Sequence, residues 1–79
     1  MLRHMAGIRM VGYKAALEHL KSRGLDWGFP DIAALHYDAL RKRVARGSIP
    51  HHRRAGTRVV MFVLAELDAW LLCETREAA

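Results

Sequence analysis

Arginine and lysine side chains are concentrated in the segment 41–58, which contains no aspartate or glutamate. The seven are Arg41, Lys42, Arg43, Arg46, Arg53, Arg54 and Arg58. The rest of the chain carries six basic residues against eight acidic ones, so the net charge of +5 comes from this segment. Guanidinium and ammonium groups donate hydrogen bonds to phosphate oxygens, and a local basic surface is typical of a nucleic-acid contact. The segment therefore predicts a surface that binds double-stranded DNA.

Side chains that could perform catalysis or bind a metal are few and poorly spaced. Cys73 has no histidine near it in sequence, and neither serine lies in a nucleophile pattern. The adjacent His51 and His52 would point to opposite faces of a strand, and the cysteine pairs of a zinc site are missing. We therefore expect no enzymatic activity, no metal site and no cofactor.

The distribution of apolar residues and the single cysteine bear on location. The longest apolar run, 59–65, is too short to cross a bilayer, and the N-terminus lacks the pattern of a signal peptide. A lone cysteine cannot form an internal disulfide, as is usual in a reducing compartment. We expect a cytoplasmic, nucleoid-associated protein that does not enter a membrane.

Helical spacing predicts the first element, over residues 13–23, with Gly24 ending the helix. Trp27 and Phe29 follow in a turn-rich connection. We expect both aromatic rings to pack against the core, because a base-stacking platform needs repeated exposed aromatics along a basic groove.

The segment 31–46 allows two interpretations. Asp31 could cap one continuous helix, or a turn at 36–37 could precede a second helix that is capped by Asp38. In both, residues 38–46 are helical and Gly47 ends the helix.

Strand periodicity replaces helical periodicity after this point. The β-branched and aromatic run 59–62 follows a glycine turn at 55–57, which predicts a two-stranded hairpin. Helical spacing then returns over residues 64–75. The side chains predicted to face the core are Leu64, Leu67, Trp70 and Leu71. Those predicted to face solvent are Glu66, Asp68 and Glu74.

The predicted domain spans residues 11–75. Residues 1–10 are expected to form a loosely ordered tail, and residues 76–79 a short C-terminal tail. No internal repeat or low-complexity linker divides the chain.

Three stretches, in this order, are similar to a known family: "DALRKRVARGSIP", "RRAGTRVVMF" and "LAELDAWL". They resemble the MerR-like winged helix-turn-helix superfamily in its small phage-type excisionase form, the recombination directionality factors. The resemblance covers residues 38–72 closely and the first helix in outline. It implies a mainly α fold with a small β-hairpin, in the order helix, recognition helix, two-stranded wing and closing helix.

The resemblance also implies which side chains contact DNA. Recognition-helix residues would contact base edges and flanking phosphates: Tyr37, Asp38, Ala39, Arg41, Lys42, Arg43 and Arg46. Wing residues would lie in or across the adjacent minor groove: Arg53, Arg54, Thr57 and Arg58. Two features depart from the family pattern, since the turn at 35–37 lacks a glycine and Arg43 stands where an aromatic residue is common.

The function implied is that of an excisionase, which binds and bends attachment-site DNA and directs an integrase toward excision. Its partners would be double-stranded DNA, the integrase and further copies of itself on DNA. A small MerR-like transcriptional regulator is the main alternative, and the lack of a coiled coil after the winged domain favours the excisionase. A protein-interaction module or antitoxin is a third alternative, which would not need a basic hairpin.

Overall fold

The computed structural model describes residues 9–78, without the side chains of residues 74–78. Within that range, the chain forms four helices and a three-stranded antiparallel sheet. The elements are β1 (Met10–Val11), α1 (Tyr13–Trp27), α2 (Pro30–Ala33), α3 (Tyr37–Ala45), β2 (His52–Arg53), β3 (Val60–Val63) and α4 (Leu64–Ala78). The predicted mainly helical architecture with a β-hairpin is confirmed at this level.

Strand β3 lies in the centre of the sheet, between β1 and β2. The paired residues are Met10 with Val63, Val11 with Phe62, His52 with Met61, and Arg53 with Val60. The predicted hairpin corresponds to β2 and β3, but β1 was not predicted. Met10 falls in the segment expected to be a loose tail, whereas residues 1–8 of that segment lie outside the described residues. A strand of two residues has too little periodicity to be recognised in a sequence.

Helix α1 ends at Gly28, four residues after the predicted end at Gly24, so that prediction was wrong. Gly28 has a φ of 82° and donates its N–H to the Gly24 carbonyl, with an N–O distance of 3.1 Å. Gly24 is buried, and a Cβ built there would lie 2.4 Å from the backbone nitrogen of Ala33. The glycine at this position therefore permits close contact between α1 and α2.

A break separates α2 from α3, as the second interpretation of 31–46 predicted. Leu35, between α2 and α3, is buried. His36 precedes α3 in extended conformation, with φ −100° and ψ 157°. His36 occupies the N-cap position, so Asp38 lies in the first turn of α3 rather than at the cap. The predicted capping role of Asp38 was therefore wrong by two residues. Asp31 likewise lies inside the first turn of α2, which begins at Pro30.

Gly47 terminates the helical segment, as predicted. It has a φ of 71° and donates to the Val44 carbonyl, while the Ser48 N–H donates to the Arg43 carbonyl at 2.9 Å. These two bonds form the Schellman arrangement, which needs a left-handed residue that glycine adopts without strain.

One hydrophobic core joins the helices to the sheet. Its buried side chains are Ala16, Leu20, Ile32, Leu35, Leu40, Val44, Ile49, Val60, Phe62, Leu67 and Leu71. Trp27 and Phe29 pack against this core, as predicted. Their rings meet each other edge to face, with centroids 6.3 Å apart. Leu64 and Trp70 are half-buried at its margin instead of fully buried. The core therefore fixes α3 and the hairpin relative to each other, since both contribute buried side chains to it.

Candidate nucleic-acid interface

Helix α3 presents a strip of four exposed residues along one face. Asp38, Arg41, Lys42 and Ala45 have the spacing i, i+3, i+4 and i+7, and they line a shallow open depression. Residues three and four apart are neighbours on a helix surface, so the strip is continuous. Leu40 and Val44 are buried, so the core fixes the orientation of this strip.

Two side chains of the predicted recognition set lie elsewhere on α3. Ala39 is half-buried and packs against the core. Arg43 is also half-buried, and its guanidinium lies 5.6 Å from the centroid of the Trp70 ring. Positions 39 and 43 are one turn apart, beside the buried residues 40 and 44, and Arg43 faces Trp70 of α4. The expectation that both residues contact DNA is therefore not supported by their placement, whereas Arg46 is exposed just beyond the helix.

Tyr37 connects the exposed strip to the core through a series of aromatic contacts. Its ring meets Tyr13 edge to face at 5.6 Å, and Tyr13 meets the buried Phe62 in the same way at 5.4 Å. The guanidinium of Arg41 also lies 6.0 Å from the Tyr37 ring centroid. Tyr37 is itself 45% exposed. Arg41 is thus close to a Tyr37 ring whose own contacts lead through Tyr13 to the buried Phe62.

The tip of the β2–β3 hairpin carries the second set of cations. All four predicted wing residues are exposed: Arg53, Arg54, Thr57 and Arg58. Gly56 has a φ of 77°, as a tight turn requires. The Thr57 hydroxyl donates to the Arg54 carbonyl at 3.0 Å and accepts from the Val59 N–H at 3.2 Å. Thr57 therefore builds the turn that presents the arginines.

None of the seven clustered cations forms an ion pair with a carboxylate in the part of the chain that the structure describes. The ion pairs there join His19 and Arg23 to Asp68, and His52 to Glu66 at 2.8 Å. The last pair connects the base of the hairpin to the first turn of α4. The positive charge of α3 and of the hairpin tip is thus available to an external polyanion.

Asp68 was predicted to face solvent, but it is half-buried and hydrogen-bonded to side chains of α1. It accepts hydrogen bonds from Nε and Nη2 of Arg23 at 3.1 and 3.3 Å, and its Oδ1 lies 2.7 Å from Nε2 of His19. Partial burial acts to raise the pKa of Asp68, but the hydrogen bonds and charges of Arg23 and His19 outweigh it and lower that pKa. This cluster joins α1 to α4 and belongs to the scaffold. Sequence spacing carries no signal for it, because Asp68 is more than 40 residues away from both His19 and Arg23.

Two further features, a metal-binding cluster and a membrane-spanning helix, are absent from residues 9–78. No group of three or more histidine, cysteine, aspartate or glutamate side chains is placed to hold a metal ion in this range. Among the same residues, no helix combines the length and apolar character that crossing a membrane requires. Cys73 is exposed on α4, so it is not a core residue.

Comparison with known proteins identifies no homologue. No family model, no curated protein and no solved structure gives a significant match to this chain. The function is therefore argued from the residues of α3 and the hairpin, and from their geometry.

Proposed function

We propose that this protein is a sequence-specific DNA-binding protein of the winged helix-turn-helix type. In this proposal α3 lies in the major groove and the β2–β3 hairpin is the wing. The observation that carries the proposal is the placement of unpaired cations on two elements that share one core. An amphipathic helix alone would present a basic face, but it would not need a second basic element with a glycine turn.

The dimensions and chemistry of α3 suit the major groove. A groove about 12 Å wide admits one α-helix, and an arginine can donate two hydrogen bonds to O6 and N7 of guanine. Arg41 lies in the middle of the exposed strip, where it can approach a base edge. Lys42 and Arg46 are exposed beside it and suit contacts with the flanking phosphates.

The hairpin supplies contacts of a different kind. Arg53, Arg54 and Arg58 are exposed around a turn that is held by the Thr57 hydroxyl. A narrow, A·T-rich minor groove concentrates negative potential and attracts arginine. We assign these arginines to the minor groove and its phosphates, so they contribute affinity more than base recognition.

Within this class, we propose the role of an excisionase that bends attachment-site DNA and directs an integrase toward excision. The three stretches that resemble the excisionases fall on α3, on the hairpin and on α4, in that order along the chain. A single small module buries only about 600–1,000 Å² on DNA, so several copies on adjacent sites would supply the specificity. The integrase would perform all bond breaking and joining.

DNA binding is tested first by a gel-shift titration on duplex DNA. The double variant Arg41→Gln with Lys42→Gln should lose most of its affinity. The control is Lys14→Gln with Lys21→Gln, which removes the same charge from exposed positions of α1. Equal loss in both variants would mean that only net charge matters, and it would contradict a dedicated interface on α3.

The recombination role needs a separate experiment. Purified integrase and DNA that carries the recombined attachment sites are incubated with and without the protein. Excision that depends on the protein supports the excisionase. Specific binding at a promoter, without any effect on excision, would support a transcriptional regulator instead.

A further inference from the structure

Asp38 is an acidic residue within the otherwise cationic strip of α3. It lines the same depression as Arg41 and Lys42, and its side chain is exposed. Although Arg41 and Lys42 follow it at i+3 and i+4, no ion pair joins Asp38 to either of them among the ion pairs of the described residues. A carboxylate thus remains free at the surface that is proposed to contact DNA.

A carboxylate at this position lowers affinity for DNA in general. Phosphates repel it, and they offer no hydrogen-bond donor that would compensate. In the major groove, the donors on the bases are the N4 amino group of cytosine and the N6 amino group of adenine. Adenine places its N7 acceptor beside that amino group, and guanine and thymine present acceptor oxygens. Cytosine is therefore the base whose edge best accommodates a carboxylate.

We propose that Asp38 is a specificity-determining residue that selects cytosine in the target site, while Arg41 selects guanine at a neighbouring base pair. This inference rests on the proposed function of α3. Residues three apart on a helix are separated by about 4.5 Å along its axis, and stacked base pairs by about 3.4 Å, so the two side chains can reach neighbouring base pairs. The Tyr37 ring centroid lies 6.0 Å from the Arg41 guanidinium, at the outer limit of a cation–π contact. The target would then contain a cytosine and a guanine at adjacent base pairs, each recognised on either strand.

The test is selection of binding sites from a randomised duplex library, followed by affinity measurements on the selected and on unrelated DNA. The parent protein should enrich cytosine at one position. Asp38→Asn should lose that preference, and the ratio of specific to non-specific affinity should fall roughly 5- to 100-fold. Affinity for unrelated DNA should rise, because one repulsive charge is removed. Asp31→Asn is the matched control, since Asp31 is an exposed acid in the first turn of α2.

A purely structural role of Asp38 makes a different prediction. An acid in the first turn also stabilises the helix through its dipole. If that were its whole role, Asp38→Asn would weaken binding to selected and unrelated DNA alike and would leave the base preference unchanged. That result would overturn the inference, as would selection of an A·T pair, or of no particular pair, at the position that Asp38 contacts. Failure of the parent to bind any duplex would instead overturn the proposed function, and the inference with it.

Discussion

Gly24 on α1 and Ala33 on α2 bring two helix backbones into direct contact. A Cβ on Gly24 would lie 2.4 Å from the nitrogen of Ala33 and 2.9 Å from its Cα. These neighbours are backbone atoms, which cannot rotate away as a side chain would. The contact sets the separation of α1 and α2, and through the turn at Leu35 it sets the start of α3.

We expect Gly24→Ala to destabilise the protein despite the higher helix propensity of alanine. Forcing a methyl group against a backbone costs about 1–3 kcal/mol in a packed interior, whereas the gain in helix propensity is at most about 1 kcal/mol. Thermal unfolding measures the effect. Gly12→Ala is the control, since no atom lies within 4 Å of a Cβ at that position and its φ is −84°. A Gly24→Ala variant at least as stable as the parent would contradict the close contact.

Arg43 should contribute to stability more than to DNA binding. Its guanidinium lies over the Trp70 ring of α4 at 5.6 Å, and the residue is half-buried. A partly desolvated cation–π contact is worth about 0.5–2 kcal/mol. We expect Arg43→Ala to lower the unfolding free energy by about that amount.

A double-mutant cycle with Trp70→Leu isolates the coupling between the two side chains. Lys42→Ala, at the adjacent exposed position, serves as the control and should leave stability within about 0.5 kcal/mol of the parent. Zero coupling between Arg43 and Trp70 would show that the contact does not contribute to stability. If Arg43→Ala weakened DNA binding without changing stability, Arg43 would have to be assigned to the DNA-binding surface, as the sequence predicted.

Features with local signals could be predicted from the sequence. The end of α3 at Gly47 and the glycine turn of the hairpin follow from one residue type at one position. The core side of α4, with Leu67 and Leu71, follows from helical periodicity. Each of these signals lies within a few residues of the feature it predicts.

Features that depend on distant contacts could not be predicted. Gly24 resembles a helix end in sequence, yet its role is set by Ala33 on another helix. Asp68 follows the polar pattern of an exposed position, but Arg23 and His19 on α1 surround it. Arg43 belongs to a basic run, and only the position of Trp70 distinguishes it from its neighbours. For the candidate site, sequence alone therefore identified the cations but not which of them face outward.

The Asp68 cluster should make stability depend on pH in the acidic range. Because the folded state lowers the pKa of Asp68, its stabilising contribution is present above the unfolded pKa. That contribution is lost as the pH falls through the folded value, below about pH 4. We expect Asp68→Asn to reduce the melting temperature at pH 6 and to have a much smaller effect at pH 3. Asp26→Asn, at an exposed position of α1, is the control. The same loss at both pH values would mean that Asp68 acts through packing rather than charge.

Salt dependence should reveal how many phosphates the protein contacts. Each neutralised phosphate contributes about 0.9 to the slope of log affinity against log salt, so roughly four to six neutralised phosphates give a slope of roughly −4 to −5. Filter binding or fluorescence anisotropy between low and physiological salt measures the slope. A flat response would contradict the nucleic-acid interface altogether.

The helix and the wing should fail in different ways when their cations are removed. Arg53→Ala and Arg54→Ala should weaken binding to all sequences alike, and the salt slope should become shallower by about 1 for each phosphate that is no longer neutralised. Arg41→Ala should cost roughly 1–3 kcal/mol on the preferred site and much less on unrelated DNA, because alanine cannot donate the two hydrogen bonds to guanine. The comparison requires both DNAs at the same salt concentration, with Lys14→Ala as a control for net charge. If Arg41→Ala weakened both DNAs equally while Arg54→Ala relaxed the preference, base recognition would belong to the hairpin, and the assignment of α3 to the major groove would be wrong.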